Sequence, residues 1–137
     1  MIKFEYYLDS DFNKLIRLLK ETGIYYSPED KRKNLHEKVK NDRKSIILAK
    51  DGQKIVGTIF LISDRWNPVI YHLAVQKECR RKGIGNKLME LAENILKNKK
   101  LKSSSAFILK NNQLSLQLCK KRGWKILNEV YWLEKKL

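Results

Sequence analysis

The chain has 137 residues, 42% of them apolar, with 30 Lys or Arg against 15 Asp or Glu and a formal charge of +15. That apolar share excludes a disordered chain, and the length suits one domain, residues 1–137, with a core of useful size. Two cysteines and two histidines are too few and too scattered for a disulfide framework or a metal site, so no metal is expected. No apolar run is long enough to span a bilayer, and "MIKFEYYLDSDF" lacks the core of a signal peptide; the expectation is a cytoplasmic protein with no membrane partner.

In chain order, "IKFEYYL" alternates and predicts a first strand. Asp9 or Ser10 then caps a helix whose residues Phe12, Leu15, Ile16 and Leu19 share one face, and Gly23 ends it. In "SPED", Ser27 is the expected cap of a second helix, with Pro28 at its first position and Asp30 closing a near capping box. That helix is highly charged and anchored by Leu35 and Val39. "SIILAKDGQKIVGTIFLIS" is two β-branched runs around Asp51-Gly52, a strong hairpin signal, and "NPVIYHLAV" is a further strand. A helix with the stripe Ile84, Leu88, Leu91/Ala92 and Ile95/Leu96 comes next. "SSAFILK" reads as a strand, "NNQLSLQLCKKR" as a short helix stopped by Gly123, and "WKILNEVYWLEKKL" as two final strands. The predicted order is β-α-α-β-β-β-α-β-α-β-β, a mixed α/β (α+β) domain.

The stretch "RRKGIGN" stands where a strand gives way to a helix. Backbone N–H groups at a helix start lack intrahelical partners and carry the positive end of the helix dipole. Gly83 and Gly85 permit a tight turn and close approach, and Arg80, Arg81, Lys82 and Lys87 add positive charge. These are the ingredients of a phosphate or pyrophosphate site; a plain glycine-containing corner is the alternative. A Walker A loop does not fit, and Leu88 stands where the third glycine of a dinucleotide-binding fingerprint belongs.

"LAVQKECRRKGIGNKLM" resembles the signature of the GNAT family of N-acetyltransferases, filled here by Val75, Arg80, Gly83 and Gly85. A later family segment is matched by Asn112, Ser115, Leu118, Gly123 and Trp124, and the element order agrees along nearly the whole chain. The resemblance implies a GNAT-like fold, a central mixed and mostly antiparallel sheet with flanking helices, and acetyl-coenzyme A as cofactor. It also implies that the fourth strand splays from the fifth and pairs through Leu73, Ala74 and Val75 with the pantetheine arm. The N–H groups from Arg81 through Lys82, Gly83, Ile84 and Gly85 to Asn86 would hold the pyrophosphate, while Asn112 and Ser115 would face the cofactor. Independently, Asn112, Ser115 and Cys119 lie on one helical stripe, with Leu114 and Leu118 beside it as a core-facing stripe; a solvent-facing polar stripe is the other reading.

The chain departs from the family at Cys119, where a tyrosine is usual as the acid that protonates departing coenzyme A. Cys119 is therefore either the acid or a small packing residue. An acceptor amine attacks only when neutral, and "NPVIYHLAV" contains no carboxylate to serve as base. His72 has the right intrinsic chemistry, but alternation sets it opposite Tyr71 and Leu73, away from the side expected to face the acceptor. Tyr71, Tyr25 and Tyr26 are candidates for shaping the acceptor pocket.

Two functions follow. One is an acetyl-coenzyme A-dependent N-acetyltransferase that moves an acetyl group to a primary amine by direct attack in a ternary complex. The other is a GNAT-like binding module that uses its basic surface on nucleic acid or an acidic protein. The absence of an RNP-type motif, a zinc finger and a clear recognition helix weighs against nucleic acid. Trp124, Tyr131 and Trp132 leave a homodimer open.

Overall fold

In the computed structural model of the chain, which describes residues 1–26 and 29–137, the alternating N-terminal run forms β1 (Ile2–Tyr6). The hairpin signal is realised as β2 (Ile46–Asp51) and β3 (Lys54–Ile62), with Asp51 paired to Lys54 across the turn. β4 (Val69–Val75) follows, and β5 is only Ser105–Ala106. The sheet order is β1-β2-β3-β4-β5, antiparallel throughout except for the parallel β4–β5 pair. This is the mixed, mostly antiparallel sheet with flanking helices that the sequence implied.

The helices are α1 (Phe12–Glu21), α2 (Arg32–Asn41), α3 (Ile84–Asn98) and α4 (Gln113–Lys121). The cap expected at Asp9 or Ser10 moves to Asp11, because Asp9–Asp11 form a 3-10 turn first. Asp11 then accepts the Leu8 N–H through Oδ2 and pairs with Lys50 through Oδ1, both at 2.9 Å. Ser27 and Pro28, the expected cap and first residue of the second helix, lie outside the described residues; α2 begins at Arg32 with Lys31 at its cap.

The chain divides into two compact units, Met1–Phe107 and Ile108–Leu137. In the first, Leu15, Leu18 and Leu19 of α1 and Leu35 of α2 cluster with Ile46, Leu48, Phe60 and Ala74 of the sheet. On the other face of the sheet, α3 buries Ile84, Leu88, Ala92, Ile95 and Leu96 of the expected stripe together with Met89, while Leu91 is half-buried. Gly57 lets that helix approach, since a Cβ there would stand 3.0 Å from Ile84 Cγ2 and 3.2 Å from Leu88 Cδ1.

In the second unit, α4 ends as expected at Gly123, with the Trp124 N–H closing on the Cys119 carbonyl. Leu114, expected to face the core, is exposed. The two strands expected over 124–137 are not formed. A strand exists through backbone pairing, which apolar alternation alone does not supply, and Leu127, Tyr131 and Leu133 are exposed. No helix among the described residues is long and apolar enough to cross a membrane.

Candidate active site

β4 carries most of the site. Its register against β3 shifts between Thr58 and Phe60: Thr58 pairs with Ala74, whereas Phe60 pairs with Tyr71. Two residues of β4, His72 and Leu73, therefore oppose one of β3, which is a β-bulge. His72 takes the left-handed conformation at φ 52°, a state that costs a non-glycine residue about 1–3 kcal/mol unless its surroundings impose it. On the other side, β5 pairs only with Val69 and Ile70. Among the described residues the outer backbone edge of β4 from Tyr71 to Val75 has no strand neighbour, and Leu73 and Val75 are half-buried.

This edge leads through a 3-10 turn at Lys77–Cys79 into the glycine turn. Arg80 Nε donates to the Val75 carbonyl at 3.2 Å, tying the turn to the strand end. Arg81 and Gly83 are both left-handed, at φ 65° and 80°, and Gly83 is the N-cap of α3. No side chain caps that helix start, so an anion has donors available there. Arg80, Arg81, Lys82 and Lys87 are exposed around it, with Lys87 3.5 Å from Glu90.

The bulge also overturns the expected placement of His72. Strand alternation had set it opposite Tyr71, but the extra residue rotates it onto the same side. Its ring lies 5.0 Å from that of Tyr71, and both rest on Phe60, at 4.8 and 5.4 Å. His72 Nε2 lies 2.9 and 3.1 Å from the two carboxylate oxygens of Asp30. The pair is enclosed, with side-chain exposures of 14% and 7%. Asp30 is held by the backbone of Tyr26, accepting its N–H at 2.7 Å and returning its own N–H to the Tyr26 carbonyl at 2.8 Å.

Burial and, secondarily, the Asp30 charge push the Tyr71 phenol well above its ordinary pKa, so it stays neutral. Above its ring, at 5.1 Å, sits Lys38 Nζ, which donates to the Leu61 carbonyl at 2.5 Å. Burial lowers Lys38 to about 8, more than the nearby Asp42 charge restores.

Tyr25 packs on the α1 side of the core, with Lys20 over its ring, and borders a groove of about 540 Å³ with Phe12, Ile16 and Arg17. Tyr26 contributes through its main chain. Asn112 caps α4, its Oδ1 accepting the Ser115 N–H at 3.2 Å, and Cys119 is buried. Asp30 is the residue that the sequence did not reveal as a site residue. Its partner is 42 positions away, and the local pattern suggested only a helix cap.

A profile described as the acetyltransferase (GNAT) family matches residues 12–124. Similar solved structures include the PaiA N-acetyltransferase from Thermoplasma acidophilum in complex with coenzyme A, at 20% identity and a TM-score of 0.82, covering 95% of this chain and 93% of that one. Ard1 from Thermoplasma volcanium is 18% identical with a TM-score of 0.81, covering 93% and 84%. An N-acetyltransferase from Staphylococcus aureus Mu50 is 17% identical with a TM-score of 0.80, covering 93% and 86%. At these identities the likeness is one of fold. A search of the curated proteins finds no match.

Proposed function

The chain belongs to the acetyltransferase (GNAT) family, whose cofactor is acetyl-coenzyme A, and on that premise we propose that it is an N-acetyltransferase acting on a primary amine. One observation carries this reading: an open strand edge leads through a short turn to an uncapped helix start ringed by four cations. The first suits an extended amide-bearing arm; the second suits a pyrophosphate.

In this proposal the backbone of Leu73, Ala74 and Val75 binds the pantetheine arm. The N–H groups from Arg81 to Asn86 hold the pyrophosphate, with Arg80 and Lys82 lowering its charge. Bound there, acetyl-coenzyme A supplies a thioester whose acetyl carbon gains the C–N bond of the amide as its C–S bond breaks. His72 takes one proton from the incoming ammonium, leaving the nitrogen with a lone pair, and passes it to solvent. The second amine proton would end on the coenzyme A sulfur, and because a thiolate is a tolerable leaving group, Cys119 is not required as acid. The buried Asp30 carboxylate beside Tyr71 favours a cationic acceptor over an anionic one.

The test follows thiol release from acetyl-coenzyme A with four probes: spermidine, kanamycin, a peptide with a free N-terminus and a lysine-containing peptide. Acetylation of at least one, with one thiol released per amide, is expected. Tight cofactor binding with none of the four acetylated would point instead to a catalytically silent relative.

A further inference from the structure

We propose that Asp30 is the positioning residue for His72, fixing which imidazole nitrogen takes the proton. This rests on the acetyl-transfer reading above and adds to it a residue from a separate loop. An ionised carboxylate only accepts hydrogen bonds. With both Asp30 oxygens within 3.1 Å of Nε2, that nitrogen must carry its hydrogen. The proton-accepting atom is then Nδ1, which has no hydrogen-bond partner among the described residues.

Three features fix the imidazole in place. The bulge imposes φ 52° on His72 and so aims its side chain at the α1–α2 loop. Phe60 of β3 and Tyr71 of β4 pack against the ring at 4.8 and 5.0 Å. The Tyr26 N–H, at 2.7 Å from Asp30 Oδ2, stops the carboxylate from turning away. A backbone donor, a carboxylate and a histidine thus form a chain in which each member orients the next, the logic by which a buried acid sets the tautomer of a catalytic histidine.

The isosteric change Asp30→Asn makes this testable. The Tyr26 N–H needs an acceptor, so the asparagine oxygen stays with it and the NH₂ group turns toward His72. Nε2 must then accept, and the proton moves to Nδ1, where it blocks the base.

The measurement is the ring ¹⁵N shifts of His72 in the full chain, assigned by loss of its signal in His72→Gln. The expected result is the Nε2–H tautomer in the native protein and the Nδ1–H tautomer in Asp30→Asn. Turnover of whichever of the four probe amines reacts fastest should fall about 100-fold in Asp30→Asn, the usual scale of a lost general base, with acetyl-coenzyme A affinity by calorimetry within about twofold. A native Nδ1–H tautomer would overturn the proposal without any variant. So would unchanged turnover in a folded Asp30→Asn protein. If the native chain fails to bind acetyl-coenzyme A, the transferase reading falls instead, and the tautomer result still reports on the pair.

Discussion

Gly57 and Ile84 are packed so closely that a side chain at position 57 would force Ile84 to give way. A methyl group there would stand 3.0 Å from Ile84 Cγ2, 3.2 Å from Leu88 Cδ1 and 3.3 Å from the Ala74 carbonyl oxygen. Gly57 pairs with Val75, so this contact packs the first turn of α3 against the end of β4, where the two halves of the proposed cofactor site meet. Gly57→Ala is expected to cost about 1–3 kcal/mol by overpacking. It should also weaken acetyl-coenzyme A roughly tenfold by displacing the helix start. Denaturant unfolding and calorimetry check the two effects separately.

At Gly83 the reason for glycine is different. Nothing lies within 4 Å of a Cβ there, but φ is 80°. Gly83→Asp therefore keeps room to fold, pays about 1–2 kcal/mol of left-handed strain, and puts a negative charge where a pyrophosphate would bind. The expected result is loss of measurable acetyl-coenzyme A binding by calorimetry, with Gly83→Ala weakened to a lesser degree. Native affinity in folded Gly83→Asp would move the cofactor site elsewhere.

How much of this was legible in the sequence differs from residue to residue. The glycine turn could be read because its determinants are contiguous: two glycines, a run of cations and a helical stripe behind them. The bulge at His72 could not, since "NPVIYHLAV" keeps an ordinary strand pattern and the extra residue is defined only against β3. Asp30 was hidden because the carboxylate and its histidine meet through tertiary folding, while the surrounding "SPED" is an equally good cap signal. The predicted C-terminal strands failed for a related reason. Leu127, Val130 and Leu133 supply apolar side chains, but a strand needs a partner backbone that no local pattern specifies.

Lys38 gives a pH signature. Burial lowers its pKa from 10.5 to about 8, so the charged form is disfavoured in the folded chain. Below pH 8 the lysine is charged in both states and that penalty is fully present. Between pH 8 and 10.5 the folded state releases its proton first, the unfolded state binds more, and stability rises with pH. Lys38→Met removes this titration. Its stability relative to the native chain should fall by about 2 kcal/mol between pH 7 and pH 10, on the scale of 1.36 kcal/mol per pKa unit. Urea unfolding of both proteins across that range provides the check; a constant difference would mean that Lys38 is solvated.

Cys119 is buried at the position where the family usually has tyrosine. If it only packs, Cys119→Ala should cost about 1 kcal/mol of stability and leave the turnover number within about twofold. A fall of tenfold or more at unchanged cofactor affinity would make the thiol the acid that protonates departing coenzyme A.

In the proposed cofactor site the β4 edge and the α3 start together hold acetyl-coenzyme A. Isothermal titration of the purified chain with acetyl-coenzyme A tests it most directly, without knowledge of the acceptor. Saturable one-to-one binding that weakens with added salt is the expected result, because the cationic turn would carry much of the affinity. A folded sample that shows no binding would mean that acetyl-coenzyme A is not held there, and the glycine turn would then be a structural corner.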